Sequence, residues 1–186
     1  MRTACRRFST LVVSTLLLAA VCPPSTRAAD VVSAPALKAA FLFNFARFTD
    51  WPANSPPGRL TLCVLGDPAV ADALDRLVGD RQISGRDVSV ARLVSQRSVK
   101  SCHLLYLAGS DATSQVRALE ELARSPVLTI GDGEQFVRSG GGVGLFLDEG
   151  RMRFAINTDA VLRAGLRLSS QLLGLAKVLR DEHVQS

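Results

Sequence analysis

Residues 60–68 read LTLCVLGDP and pass from an apolar run into the start of a helix. The run Leu60–Leu65 has the length and composition of a buried strand. Asp67 then occupies the N-cap position of a helix and Pro68 its first position, which both residue types favour. A buried strand that leads directly into a capped helix is the unit from which α/β folds are built. This segment therefore predicts a layered α/β fold.

The same alternation of strand and helix continues along the chain. The further predicted elements are strands at residues 88–94, 104–107 and 127–130, and helices at residues 68–78, 110–124 and 134–138. Beyond the glycines at 140–142, the runs 143–147 and 152–156 carry apolar residues at every second position and predict a hairpin. We therefore predict a largely parallel sheet flanked by helices, with a C-terminal antiparallel hairpin at its edge.

Helices are also predicted before and after this alternation. The first spans residues 34–49 and has aromatic side chains at helical spacing, which are predicted to close it on the sheet together with Trp51. These side chains are Phe41, Phe45 and Phe48. Near the C-terminus, residues 158–163 form a predicted short helix and residues 169–180 a predicted last helix.

The first 28 residues have the layout of a secretory signal peptide. Arginines at positions 2, 6 and 7 form a basic start, residues 11–21 are largely apolar, and small residues precede a cleavage point after Ala28. The apolar run is shorter than the roughly 20 residues that a membrane-spanning helix needs, which makes a retained anchor the less favoured alternative. We therefore predict export to the periplasm with cleavage near Ala28, which leaves residues 29–186 as a single α/β domain.

Export changes the charge of the folded chain. Of the 22 basic residues, four lie in the predicted signal peptide, which leaves 18 against 17 acidic residues and a net charge of +1. Binding to nucleic acid would need a basic patch on the domain itself. We therefore predict no nucleic-acid partner.

Two cysteines, Cys63 and Cys102, remain after the signal peptide is removed. An even number of cysteines in an oxidising compartment favours a disulfide. Such a bond would stabilise the fold by about 4 kcal/mol on the chain-entropy model. Two buried free thiols are the alternative.

The sequence contains no arrangement of residues that predicts catalysis. His103 and His183 are the only histidines, and neither has a second histidine at the spacing of metal ligands. The nucleophile elbow G-x-S-x-G is absent, and the glycine clusters at 131–133 and 140–142 lack the other residues of a nucleotide-binding loop. We predict that the protein is not an enzyme and has no catalytic residue, no metal and no cofactor.

Several side chains are candidates for contact with a partner protein. Phe43 falls outside the aromatic stripe of the first helix, and the C-terminal segment has more leucines than one buried stripe needs, which also permits a homodimer. Arg151 and Arg153 share the polar face of the hairpin's return strand and would contact an acidic partner. The candidate apolar contacts are Phe43, Leu168, Leu172 and Leu175. Ordinary packing of the apolar residues and a solvated face for the arginines are the alternatives.

A small-molecule site is a second possibility. Open α/β sheets bind ligands at the carboxyl ends of their strands. Asp67, Ser110 and Asp132 each follow a predicted strand beside a glycine, so they are the candidate ligand contacts at that rim. Helix capping and turn formation explain each of them separately.

A series of short segments resembles the YfiR family, in the family's order and over nearly all of residues 37–180. The segments are 39–52 (AAFLFNFARFTDWP), 62–66 (LCVLG), 102–107 (CHLLYL), 126–130 (PVLTI), 140–142 (GGG), 153–157 (RFAIN), 164–166 (AGL) and 169–173 (SSQLL). The two cysteines match the family's cysteine pair, which supports a Cys63–Cys102 bond. This chain lacks the second pair that some relatives carry in their C-terminal half.

The resemblance implies a periplasmic protein that represses an inner-membrane diguanylate cyclase by binding its periplasmic sensor domain. An outer-membrane lipoprotein can draw such a repressor away, and the released cyclase then raises cyclic di-GMP and favours biofilm growth. We therefore predict a negative regulator that acts by binding. The alternatives are a periplasmic small-molecule-binding receptor and an accessory subunit of another membrane signalling protein.

Overall fold

Strands and helices alternate through the computed structural model, which describes residues 34–53, 55–109 and 111–180. The helices are α1 (Ala34–Arg47), α2 (Pro68–Val78), α3 (Ala112–Leu122), α4 (Gly133–Arg138), α5 (Thr158–Arg163) and α6 (Ser170–Leu175), with a 3-10 helix at Gln96–Ser101. The strands are β1 (Thr49–Asp50), β2 (Leu60–Leu65), β3 (Gln82–Ile83), β4 (Arg86–Leu93), β5 (Leu104–Leu107), β6 (Leu128–Asp132), β7 (Val143–Asp148), β8 (Arg151–Asn157), β9 (Arg167–Leu168) and β10 (Lys177–Leu179). None of the described helices is long and apolar enough to cross a membrane. The predicted signal peptide lies outside the described residues.

Eight of these strands form one mixed sheet, in the order β10-β8-β7-β6-β5-β2-β4-β3. The neighbours from β4 across to β7 are parallel, whereas β7 and β8 form the predicted antiparallel hairpin. Strands β1 and β9 pair separately as a short antiparallel ladder, in which Thr49 lies opposite Leu168. The predicted α/β fold, with its largely parallel sheet flanked by helices, is confirmed.

The sheet changes direction between β2 and β5. From β2 the chain passes to β4 on one side and then returns to β5 on the other, and β6 and β7 continue outward from there. Connections that leave adjacent parallel strands in opposite directions open a crevice at their carboxyl ends, where sheets of this kind bind ligands. The residues that follow β2 and β5 are therefore the ligand contacts that this topology favours.

Side chains on the central strands point alternately into two helical layers. On β2, Leu62 and Val64 join the core that includes α1 and α2, whereas Cys63 joins the core formed with α3, α4 and the 3-10 helix. Strand β5 is buried at all four positions. Full burial of an aliphatic side chain contributes about 1.5–3 kcal/mol, so this two-sided core is the main source of stability.

The first helix ends earlier than predicted, because Thr49 enters β1. The Thr49 hydroxyl donates to the carbonyl of Phe45 at 2.6 Å and so satisfies one carbonyl at the helix end. Phe45 is buried, and its ring packs edge-on against Phe154, with ring centroids 5.1 Å apart. Phe41 and Phe48 are partly buried against the same core, so the predicted aromatic face does pack on the sheet.

The predicted last helix, residues 169–180, is wrong in its second half. Helix α6 ends at Leu175, and Lys177–Leu179 form β10, parallel to β8. Gly174 and Val178 have weak helix preferences, and the open edge of β8 supplies hydrogen-bond partners for the backbone. Because β10 pairs with β8, the hairpin does not form the predicted edge of the sheet.

Cys63 and Cys102 form the predicted disulfide, with their Cα atoms 5.9 Å apart. Cys63 lies within β2, and Cys102 lies two residues before β5. The bond therefore joins the two strands between which the sheet changes direction. Both cysteines are fully buried in the core formed with α3, α4 and the 3-10 helix.

Candidate functional site

Three side chains meet at the carboxyl edge of the sheet and form what we call the carboxyl-edge cluster: Lys38 on α1, Tyr106 on β5 and Asp132 at the end of β6. Lys38 Nζ donates to the Tyr106 hydroxyl at 2.6 Å and to Asp132 Oδ1 at 2.9 Å. The Tyr106 hydroxyl donates to both carboxylate oxygens of Asp132, at 2.9 and 3.0 Å. The cluster therefore ties α1 to two neighbouring strands beside the point where the sheet changes direction.

The hydroxyl at the centre of this cluster stays protonated. Burial, followed by the charge of Asp132 and that of Asp67, raises the pKa of Tyr106 far above its ordinary range. This neutral hydroxyl accepts a hydrogen bond from the Lys38 ammonium group and donates one to the Asp132 carboxylate. With its pKa raised in this way, it does not act as an acid or a base at neutral pH. The hydroxyl therefore connects Lys38 and Asp132 through hydrogen bonds.

The structure brings two of the three predicted rim residues to this edge. Asp132 belongs to the carboxyl-edge cluster, and Asp67 is close enough to Tyr106 to influence its pKa. Asp67 is also the predicted N-cap of α2, since its Oδ1 accepts the backbone N–H of Val70 at 3.0 Å. Ser110 lies outside the described residues. Both described carboxylates already have protein partners, so a ligand would have to add to these contacts or replace them.

Close backbone packing marks the turns that follow β2 and β5. Gly66 has a φ of 91°, and a Cβ atom at this position would collide with the backbone oxygen of Ala108. Glycine is the residue that combines a positive φ with so close an approach. Backbone therefore fills the base of the crevice between the two strands.

A second polar cluster, centred on His103, lies at the amino end of β5. The His103 side chain is fully buried. Its Nδ1 accepts the backbone N–H of Thr61 at 3.1 Å, so the neutral ring carries its proton on Nε2, which donates to the carbonyl of Pro56 at 2.9 Å. Arg86 Nη2 lies 2.9 Å from Nε2, and Trp51 Nε1 donates to the His103 carbonyl at 3.2 Å. The cluster joins the loop before β2 to three strands.

Arg86 also contacts the loop before β2 and adds to the effect of burial on the pKa of the histidine. Its guanidinium donates to the carbonyls of Gly58 and Pro56 at 2.9 and 3.1 Å. Burial, followed by the charge of Arg86, lowers the pKa of His103. No spacing in the sequence indicates this cluster, because Arg86 begins β4 and His103 precedes β5, and these two strands lie on opposite sides of β2.

The predicted partner contacts occupy different environments. Arg151 and Arg153 are exposed on β8, where Arg153 pairs with Asp148 at 3.7 Å. Leu175 is 73% exposed at the end of α6. Leu172 is only 6% exposed and belongs to the core, so its prediction as a surface contact is corrected: α6 turns this side chain inward.

Phe43 and Leu168 are partly buried, and both pack against the core that includes α1. Part of the Phe43 ring therefore packs in the core, as expected if the residue has a structural role, and the rest of the ring is exposed. Leu168 lies in β9 opposite Thr49. Of the six predicted partner contacts, the exposed ones are therefore Arg151, Arg153 and Leu175.

Metal-ligating side chains are not clustered in residues 34–53, 55–109 and 111–180, which contain no group of three His, Cys, Asp or Glu residues that could hold an ion. Cys63 and Cys102 share their disulfide and so offer no thiolate.

Comparison with known proteins finds a family model that spans most of the chain. The family model described as DUF4154: YfiR/HmsC-like matches residues 35–177. Among solved structures, a conserved domain protein from Vibrio cholerae O1 biovar El Tor is 15% identical, with a TM-score of 0.48. The ABC domain from Streptococcus pneumonia in complex with L-Trp is 12% identical, with a TM-score of 0.46. Each alignment covers 77% of this chain and 60% of the solved chain.

Proposed function

This chain belongs to the YfiR/HmsC-like family, and we propose that it represses an inner-membrane diguanylate cyclase by binding the cyclase's periplasmic sensor domain. The family consists of periplasmic regulatory proteins without catalytic activity. Repression would lower cyclic di-GMP and limit biofilm formation. The observation that carries the proposal is the family match over residues 35–177.

The disulfide supports the proposed compartment. Cys63 and Cys102 are bonded in the buried core, and disulfides persist in oxidising compartments such as the periplasm. The predicted signal peptide would deliver the chain there, with cleavage near Ala28.

Repression of this kind is stoichiometric. A protein without a catalytic step holds a cyclase inactive only if it binds the inactive conformation more tightly than the active one. Moving an equilibrium from about 1:99 to 99:1 requires roughly a 10⁴-fold difference in affinity. The exposed predicted contacts, Arg151, Arg153 and Leu175, are candidates for part of this interface. An outer-membrane lipoprotein that competes for the repressor would release the cyclase.

The proposal is tested by measuring cyclic di-GMP in a strain that lacks this gene and in its parent. We expect a rise in the deletion strain, because the cyclase loses its repressor. A plasmid that encodes the full chain should reverse the rise. A matched plasmid without residues 1–28 should not, because the repressor would then stay in the cytoplasm. No rise in a strain whose parent expresses the gene would reject the proposal.

A second candidate function is a small-molecule receptor. The observation that favours it is the carboxyl-edge cluster, in which Lys38, Tyr106 and Asp132 lie beside the direction change of the sheet. The test is thermal unfolding of the purified mature domain with amino acids and mononucleotides as probes. A ligand that raises the melting temperature of the wild type, but not of Lys38→Met, would support a receptor, because binding to the folded state stabilises it. Equal shifts in both proteins would place binding elsewhere.

A further inference from the structure

The loop between β1 and β2, which the structure describes at residues 51–53 and 55–59, is attached to the sheet through His103. Nε2 of the neutral ring donates to the carbonyl of Pro56 in this loop at 2.9 Å. Nδ1 accepts the backbone N–H of Thr61, the second residue of β2, at 3.1 Å. The ring is fully buried. One ring nitrogen is therefore engaged as a donor and the other as an acceptor.

A second proton on the ring would break the contact with Thr61. This proton would lie on Nδ1 and point at the Thr61 N–H, so that two donors would face each other. A buried N–H that loses its acceptor destabilises the conformation that buries it. A proton on Nδ1 therefore favours a conformation in which His103 and Thr61 have separated.

Arg86, at the start of β4, is the second attachment of the loop. Its Nε donates to the carbonyl of Gly58 at 2.9 Å, and its Nη2 donates to the carbonyl of Pro56 at 3.1 Å. The same Nη2 lies 2.9 Å from His103 Nε2. Like charges this close repel each other, and salt screens partly buried charges less than exposed ones. A protonated His103 would therefore repel the guanidinium that also holds the loop.

Among the described residues, the other groups around the ring do not offset this repulsion. Burial, followed by the charge of Arg86, lowers the pKa of His103, and the hydrogen bond to the loop carbonyl raises it by less. The indole of Trp51, which packs edge-on with ring centroids 5.9 Å apart, carries no charge. Arg59 in the loop lies 4.0 Å from the carboxylate of Asp87. The surroundings of the ring therefore favour its neutral form.

We propose that acid releases the loop between β1 and β2. His103 takes up a proton from solvent on Nδ1, its contact with Thr61 ends, and the imidazolium repels Arg86, so that both attachments of the loop are lost. Strand β1 leads directly into this loop, and its two residues pair with β9. Release therefore also loosens the β1–β9 ladder. This device goes beyond the proposed function, because it does not depend on which partner the protein binds.

Trp51 reports on the release, because it is the only tryptophan in the chain and its indole N–H donates to the His103 carbonyl at 3.2 Å. The purified exported protein is titrated from pH 7.5 to 4.5. The fluorescence of Trp51 should change in one step, with a midpoint below 6.5, the ordinary pKa of a histidine. Far-UV circular dichroism should stay constant, since the release is local. Constant fluorescence, or loss of circular dichroism at the same midpoint, would overturn the proposal.

The chain has two histidines, which gives a matched pair of variants. His103→Gln should lose the fluorescence titration and His183→Gln should keep it, so an unchanged titration in His103→Gln would overturn the proposal. If His103→Gln does not fold, Arg86 decides the question. Arg86→Gln removes the charge beside the ring and should move the midpoint to higher pH, whereas Arg86→Lys retains that charge and should stay closer to the wild type. Equal midpoints in these two variants would also overturn the proposal.

Hydrogen exchange of single amides, followed by NMR, locates the change. The Thr61 amide should lose protection between pH 7.5 and 5.5, after correction for the pH dependence of chemical exchange. A ring with the ordinary pKa of 6.5 in the released state makes release up to about tenfold more frequent at pH 5.5. The control is the Gly142 amide, which also donates to a side chain, the hydroxyl of Thr129 at 2.9 Å, but to one that does not titrate. Constant protection of Thr61, or an equal loss at Gly142, would contradict release of the loop by acid.

Discussion

Gly66 combines a left-handed backbone conformation with no room for a side chain. Its φ of 91° and the adjacent Ala108 carbonyl would both oppose a side chain. Gly58 is a matched control, since it has a φ of 84° but open space where a Cβ would lie. Gly66→Ala should lower the free energy of unfolding by at least about 1 kcal/mol more than Gly58→Ala, which meets only the backbone strain. Urea denaturation measures the free energy of unfolding of both variants. Equal decreases would show that the structure accommodates the Cβ atom at position 66 without a further loss of stability.

His103 makes stability depend on pH. Its pKa is lowered from an ordinary value of 6.5, so below about pH 6.5 the unfolded chain takes up a proton that the folded chain does not. The free energy of unfolding should therefore fall as the pH drops from 7.5 to 5.5, by up to about 1.4 kcal/mol per pH unit, until the lowered pKa is reached. Urea denaturation at several pH values between these limits measures the slope.

The control for this prediction is His103→Gln, which retains hydrogen-bonding groups but does not titrate. Its unfolding free energy should be lower than that of the wild type at pH 7.5 and should change less between pH 7.5 and 5.5. The same slope in both proteins would assign the pH dependence to other groups.

At the scale of elements, the disulfide fastens β2 to the start of β5. The two cysteines are separated by 39 positions in the sequence, and closing a loop of this length restricts the unfolded chain by about 4 kcal/mol. Cys63→Ser and Cys102→Ser should therefore melt at lower temperature and accumulate less in the periplasm. Reductant should lower the melting temperature of the wild type and leave the double variant unchanged. An unchanged melting temperature of the wild-type protein in reductant would argue against stabilisation by the disulfide.

Elements with local signals could be predicted from the sequence. Strand β2 and helix α2 have the predicted bounds, because an apolar run, the Asp67 cap and Pro68 lie next to one another in the chain. Strand β10 could not be predicted, since it depends on the edge of β8. The same holds for the site. Asp67 and Asp132 could be placed at the carboxyl edge of the sheet because each follows a predicted strand. Their proximity to Tyr106 and Lys38 could not be predicted, because it depends on how α1 packs against the sheet.

Across the whole molecule, protection of the backbone should decrease from the centre of the sheet to the β1–β9 ladder. Strand β5 is fully buried between β2 and β6, whereas β1 and β9 are two residues each. Hydrogen exchange followed by mass spectrometry should show β5 exchanging through global unfolding and the ladder through local opening. Equal protection would mean that the C-terminal segment unfolds only with the rest of the domain.

The covalent link between Cys63 and Cys102 closes residues 63–102 into a ring that contains α2, β3, β4 and the 3-10 helix. A protease that cuts once inside this ring leaves both pieces attached to each other. Such nicked protein would run as one band on a denaturing gel without reductant and as two bands with it. A single cleavage in this half of the sheet therefore does not release a fragment, and the chain from β5 onward stays covalently attached to α1 and β2.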